Sequence, residues 1–270
     1  SIPTASNVKD IWKKWQANRA APVLLIVVYK AGNKEITTIC GATDQNFAIS
    51  DKIPLDQAER LARSSLFEIN RNQAILLIQN ALPELKASLP GIINRGLFST
   101  NDLARGVPIR DDWVKAVKLS LPLLDKKGED LINLLGFNIE TLTTSTSVLR
   151  SSGTKQAVAI FLQDHEMPEV LSSRFNNHSP GNYALTMADK EGLPYVIMTK
   201  GSQIRIYSTD ASKGVGRKGR TETFCELNLS LVSKEFAGLL VLIFSAKALK
   251  EGGSLEELLD NSYRFASEIG

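Results

Sequence analysis

GLPYVIMTKGSQIRIYS, residues 192–208, carries the pattern from which the fold can be read. Two apolar runs, 194–199 and 203–207, flank a Lys200-Gly201 turn and read as strands. Toward the N-terminus, 181–190 reads as a helix closed by Gly192, and 156–162 reads as a strand before it. A further strand, 137–142, precedes a Ser/Thr-rich connection ending in Ser151-Ser152-Gly153. Toward the C-terminus, a basic glycine loop leads to a strand at 221–227. Two helices follow, 234–250 and 254–269, separated by Gly252-Gly253, and Ser254 with Glu257 fits a capping box. The order from 137 onward is therefore β-β-α-β-β-β-α-α. That order builds a mixed sheet flanked by helices, not a doubly wound repeat.

The first half has a different rhythm. Val8, Ile11, Trp12 and Trp15 fall at helical spacing over 7–19, and Pro22 ends that helix. The β-branched runs 23–29 and 35–41 flank Ala31-Gly32-Asn33 and read as a hairpin. Helices are expected at 54–68 and 71–82, then a loop at Pro90-Gly91 and a dense apolar, Asn, Arg and Gly mixture over 92–108. Asp111-Asp112 suits the start of a helix carrying Trp113, Val114, Val117 and Leu121. A short helix over 129–135 closes on Gly136. The expected class is α+β (mixed α/β): a central mixed β-sheet flanked by helices in the second half, and a mainly helical first half with an N-terminal β-hairpin. The expected division is 1–136 and 137–270.

Composition narrows the function classes. The chain has 270 residues, 43% hydrophobic and 23% charged, with a formal net charge of +3. That is a globular composition, neither disordered nor collagen-like. The longest apolar runs, 21–29 and 237–244, fall short of the ~20 residues that span a bilayer, so no membrane partner is expected. The first of them follows a charged helical stretch, which is not the pattern of a signal peptide. Cys40 and Cys225 lie far apart in no metal-ligand spacing, which fits a cytoplasmic protein and not a disulfide or zinc scaffold. His165 and His178 are the only histidines, too few for a His-rich metal site. Residues 1–150 carry 19 basic and 15 acidic side chains, and 151–270 carry 13 and 14. Neither half has the charge of a dedicated nucleic-acid domain, so any such contact must come from local clusters.

Several short patterns fail on context. Residues 214–219, GVGRKG, match G-x-G-x-x-G, but a strand follows where the dinucleotide fingerprint needs a helix N-terminus. Arg220 stands where a phosphate loop needs Lys. Ser179-Pro180-Gly181-Asn182-Tyr183 approximates the Asn-Pro-Pro-Tyr of adenine methyltransferases, but lacks the second proline and displaces the tyrosine. Residues 165–169, HEMPE, lack the second histidine of a zinc helix and carry a proline inside it. No G-x-S-x-G is present, and nothing pairs either histidine with a nucleophile. The glycine loop keeps two open readings. Lys213, Arg217, Lys218 and Arg220 suit DNA phosphates, and they equally suit a solvated connection between strands.

A succession of stretches resembles a known family. These are 90–99 (PGIINRGLFS) continuing through Leu103, Val107-Pro108 and Trp113; 134–137 (LLGF); 192–201 with 205–208 (RIYS); and 214–220 with Glu222, Phe224 and Glu226. In order and spacing they resemble the N-terminal region of large bacterial DNA methyltransferases of restriction–modification and phage-defence systems, including DISARM-type and BREX-type methylases. The resemblance covers roughly 90–230. It implies a chain that is the front piece of a longer enzyme. The methyltransferase domain and its S-adenosylmethionine would then lie downstream, and the partners would be double-stranded DNA and either that domain or defence-system subunits.

The 192–208 stretch also resembles the end of a PD-(D/E)xK nuclease fold, in which a Glu-x-Lys strand leads to a helix, a strand and a short strand ending in Tyr. The resemblance implies a restriction-endonuclease-like core in 137–270. Residues 156–163, QAVAIFLQ, depart from it, since they contain no carboxylate and no lysine. A Mg²⁺-dependent nuclease would have to use Glu140, Asp164 and Glu166, with Lys155 or Lys200 as the cation. Otherwise the domain is nuclease-like and non-cleaving, needs no cofactor or metal of its own, and engages DNA through Lys213, Arg217, Lys218, Arg220, Asn94 and Arg95. Asn94 and Arg95 equally suit a pair that ties down backbone.

Overall fold

In the computed structural model, residues 3–19, 23–41, 48–68, 70–85, 87–215 and 219–269 are described, with backbone alone for 265–269. The chain divides into two compact units, Ser1–Gly91 with Ser230–Lys234, and Ile92–Leu229 with Glu235–Gly270.

In the first unit, α1 (Ala5–Gln16) starts at Thr4, whose hydroxyl accepts the Asn7 amide. β1 (Leu24–Ala31) and β2 (Lys34–Gly41) form the expected hairpin, in register from Leu24 opposite Gly41 to Ala31 opposite Lys34. A third antiparallel strand, β3 (Ala48–Pro54), joins β2 and was not legible in sequence, because Asp51 and Lys52 break its apolar pattern. Two helices follow, α2 (Leu55–Leu66) and α3 (Arg71–Glu84). Ile39, Ile53, Ala58, Leu61, Ile78 and Leu82 form the core, and Leu231 completes it. That last residue arrives from far along the chain. One face of α2 holds its backbone: Gln57 donates to the Leu231 carbonyl, Arg60 to the Val232 carbonyl, and Ser64 meets Ser230 at 2.7 Å.

The second unit is a seven-stranded sheet in the order β4-β10-β9-β8-β7-β6-β5. Its elements, in chain order, are β4 (Ile92–Asn94), α4 (Trp113–Ser120), α5 (Gly128–Leu134), β5 (Asn138–Thr141), β6 (Ser147–Ser151) and β7 (Thr154–Phe161). These are followed by α6 (Pro180–Glu191), β8 (Tyr195–Lys200), β9 (Gln203–Ser208), β10 (Phe224–Asn228), α7 (Gly238–Phe244) and α8 (Ser254–Ile269). The fold is mixed α+β. The β7–β8 pair is parallel and the other pairs are antiparallel, so β7 must reach β8 through a crossover, which α6 supplies. Gly192 ends α6 at φ +64, with Leu193 N–H bonded to the Ala188 carbonyl at 2.9 Å. Side chains of both parities are buried along the central strands. Val158, Val196 and Tyr207 lie on the α6 face, and Ala157, Ile197 and Ile206 lie on the other.

Three local readings are corrected. Within the Ser/Thr connection lies β6, where Val148 and Leu149 are both buried, so 137–142 is not adjacent to β7. The helix expected over 234–250 is broken into a single 3-10 turn, Lys234–Phe236, and α7. Ala246 N–H bonds to the Leu135 carbonyl, and Ser245 Oγ accepts from Ala248 N–H, which turns the chain out of the helix. The capping box does not form, because Ser254 donates to the Leu242 carbonyl and Glu257 pairs with Arg110 at 2.9 Å. The expected division at 136/137 also falls inside the second unit, because β4 pairs with β10 and brings 92–136 with it.

Gly238 lets α7 approach α4. A Cβ there would stand 2.8 Å from the Trp113 ring. Gly238→Ala should cost roughly 1–3 kcal/mol, the usual range for overpacking, and lower the urea midpoint of unfolding.

Candidate functional site

The first question is whether the nuclease carboxylates meet. Glu140 sits on the edge strand β5, separated from β7 by β6, and its carboxylate pairs with Arg150. Asp164 is exposed just past β7. Glu166 is buried and accepts from Gln163 N–H at 2.9 Å and from Ser172 Oγ at 3.4 Å, with Arg174 at 3.1 Å. Glu140 and Glu166 each already hold a cation, and the intervening β6 keeps Glu140 off the strand next to β7. Among the described residues, no group of three acids, histidines or cysteines is placed to hold a metal ion. Lys155 pairs with Glu191 at 2.7 Å. Gln156 is buried at the start of the apolar β7 run, and 156–163 carry no carboxylate.

A buried charged cluster does form, and sequence reasoning did not assign it. Met198, Arg205, Glu226 and Ile93 stand in one cross-strand row on the α6 face of the sheet. Arg205 is 8% exposed and Glu226 4%. Arg205 Nε donates to Glu226 at 2.6 Å, and Nη1 donates to Tyr207 Oη at 2.8 Å and to Glu169. The guanidinium lies 3.8 Å from the Phe224 ring centroid. Burial pushes the Tyr207 hydroxyl up to about 12. Lys200 is pushed down by burial, against the opposing pull of Asp164, Glu226, Glu169 and Glu166. The arginine therefore neutralises Glu226 and pins the β7–α6 connection, through Glu169, to the sheet. The sequence signal was an arginine between two isoleucines on a strand, and its partner lies 21 residues away.

The basic loop between β9 and β10 meets the 94–98 turn. Val215 N–H bonds to the Gly96 carbonyl at 2.8 Å, and a Cβ on Gly214 would stand 2.7 Å from that same oxygen. Asn94 ties its own turn, donating to the Phe98 carbonyl at 2.7 Å and accepting from Phe98 N–H at 3.1 Å. Arg95 is exposed beside it. Lys213 pairs with Asp260 at 3.2 Å, and Arg220 pairs with Asp189 at 2.8 Å. Arg217 and Lys218 lie outside the described residues. Of the six candidate DNA contacts, the structure thus brings Asn94, Arg95 and Lys213 to one corner. It gives Asn94 a structural task and gives Lys213 and Arg220 acidic partners.

The remaining motifs have structural roles. Ser179 caps α6, accepting from Asn182 N–H at 3.4 Å, and Pro180 opens that helix. The residues after the glycine loop form one helical turn, Arg220–Glu222, and then β10, so no helix receives a phosphate there. Burial pushes the Cys40 thiol up to about 12 and the Cys225 thiol higher still, so neither supplies a thiolate nucleophile at neutral pH. Compared with family models, curated proteins and solved structures, the chain matches none.

Arg205→Met leaves Glu226 buried without its cation and should cost about 3–5 kcal/mol. The double variant Arg205→Met, Glu226→Gln should regain most of that loss in denaturant unfolding, because no buried charge is then stranded.

Proposed function

We propose that the chain is a DNA-engaging, non-cleaving nuclease-like module of a cytoplasmic restriction–modification or phage-defence DNA methyltransferase. One observation carries the reading. The β7-α6-β8-β9 succession follows the nuclease order, while β7 presents Gln156 and apolar residues where that chemistry needs carboxylates. Of the two acids just past β7, Glu166 is engaged by Arg174 and Asp164 stands exposed. A module of this kind would position duplex DNA, and the chemistry would belong to a downstream domain that binds S-adenosylmethionine. The convergence of the 94–98 turn and the glycine loop at exposed Arg95 supports that corner as the DNA contact. Among the described residues no helix is long and apolar enough to cross a membrane.

Electrophoretic shift of a blunt duplex tests the reading. Affinity should fall steeply with salt. Arg95→Ala combined with Arg217→Ala and Lys218→Ala should weaken binding, and the log–log salt slope should flatten by about 0.9 for every phosphate that loses its cation. Unchanged binding would sink the assignment. Cleavage in Mg²⁺ or Mn²⁺ that Asp164→Ala abolishes would replace it with an active nuclease.

A further inference from the structure

The start of the chain is strongly positive. Over residues 1–34, Lys9, Lys13, Lys14, Arg19, Lys30 and Lys34 stand against Asp10 alone, an excess of five. The whole chain carries +3, so the remainder is net acidic. The first unit displays part of this charge around an exposed indole. On α1, Val8 is fully buried, and Trp12 donates through Nε1 to the Val23 carbonyl at 2.8 Å. Gln16 accepts Val23 N–H at 2.9 Å and donates to the Arg19 carbonyl at 3.0 Å. This stripe of the helix docks inward and bonds to the backbone of Arg19 and Val23. The Arg19 guanidinium stands 4.9 Å from the Trp15 ring centroid. Trp15 nevertheless remains 53% exposed, and Ile11, one turn earlier, 42%. Lys13 and Lys14 are exposed in the last turn, without a carboxylate partner among the described residues.

We infer that this face of α1 binds single-stranded nucleic acid, with a base stacked at Trp15 and phosphates held by Arg19 and by Lys14, which borders the face. The inference stands apart from the duplex contact at Arg95. The helix dipole explains lysines at a C-terminus. It does not explain an indole left half-open among them, since burying that ring would be favourable. An aromatic face ringed by cations is the complement of an unpaired nucleotide, because every base offers a π-face and every linkage a negative charge. In a duplex those faces are already stacked inside. A lipid surface fits less well. The helix has 12 residues and spends its main apolar stripe on the first unit, leaving Ile11 and Trp15 to insert.

The test uses the full chain at low salt, titrated with a ten-residue oligothymidylate while tryptophan emission is followed. Emission should be quenched, and added salt should restore it. Trp15→Ala should abolish the quench, although Trp12 and Trp113 still emit, and should weaken binding at least about fivefold. Its thermal midpoint should match that of the parent. Lys14→Ala should lower affinity and flatten the salt dependence, whereas Lys13→Ala, on the far side of the helix from Trp15, should do so much less. Duplex binding by Trp15→Ala should be unchanged, which separates this site from the Arg95 corner. Absence of quenching, equal oligothymidylate affinity in Trp15→Ala, or binding to phosphatidylserine vesicles but not to oligothymidylate would each overturn the inference.

Discussion

The parallel pairing of β7 with β8 is the constraint from which the second unit follows. Two parallel neighbours cannot be joined by a tight turn, so the chain must leave the sheet, cross its face and return. Helix α6 makes that crossing, and its apolar side covers Val158, Val196 and Tyr207. The other face then needs its own cover, because Ala157, Ile197 and Ile206 are buried as well. The crossing also leaves a long connection between β7 and α6, from 162 to 179. Arg205 and Arg174 secure that connection by gripping Glu169 and Glu166. Chain path and charge pairing are thus two consequences of one strand direction.

Those pairings bear on function. A metal-dependent nuclease needs carboxylates that are close together and free to take a cation. Here Glu140 and Glu166 each hold an arginine, and Asp164 stands exposed just past β7. The Arg205 guanidinium satisfies the charge of buried Glu226 while reaching exposed Glu169. Exposed elsewhere are Arg95 just past β4 and, on α1, a half-open indole with Arg19 over it.

The legible parts of the fold were those dictated by local pattern. The hairpin of β1 and β2 showed in its β-branched runs, the end of α6 in Gly192, and the β8–β9 pair in the apolar runs around Lys200-Gly201. The illegible parts were those where local pattern and tertiary demand disagree. β6 hides in Ser and Thr because only Val148 and Leu149 declare it. The 234–250 run has a helical composition but is drawn out of the helix by a backbone bond to Leu135. For the candidate site, the basic residues could be named from sequence, but their partners could not. Asp260 lies 47 residues from Lys213, and Asp189 lies 31 from Arg220.

The α+β class, the succession of strands and helices after 156, and a β7 without a carboxylate were all written in the chain, because periodicity, turn glycines and residue identity are local properties. Where the units divide, which strands are neighbours and which charges are spent emerged with folding. Segment 230–234 belongs with α2 because Gln57 and Arg60 bond its carbonyls. Glu226 is neutralised because register sets it beside Arg205. Such pairings depend on strand order and burial, which bring together residues that no spacing along the chain relates.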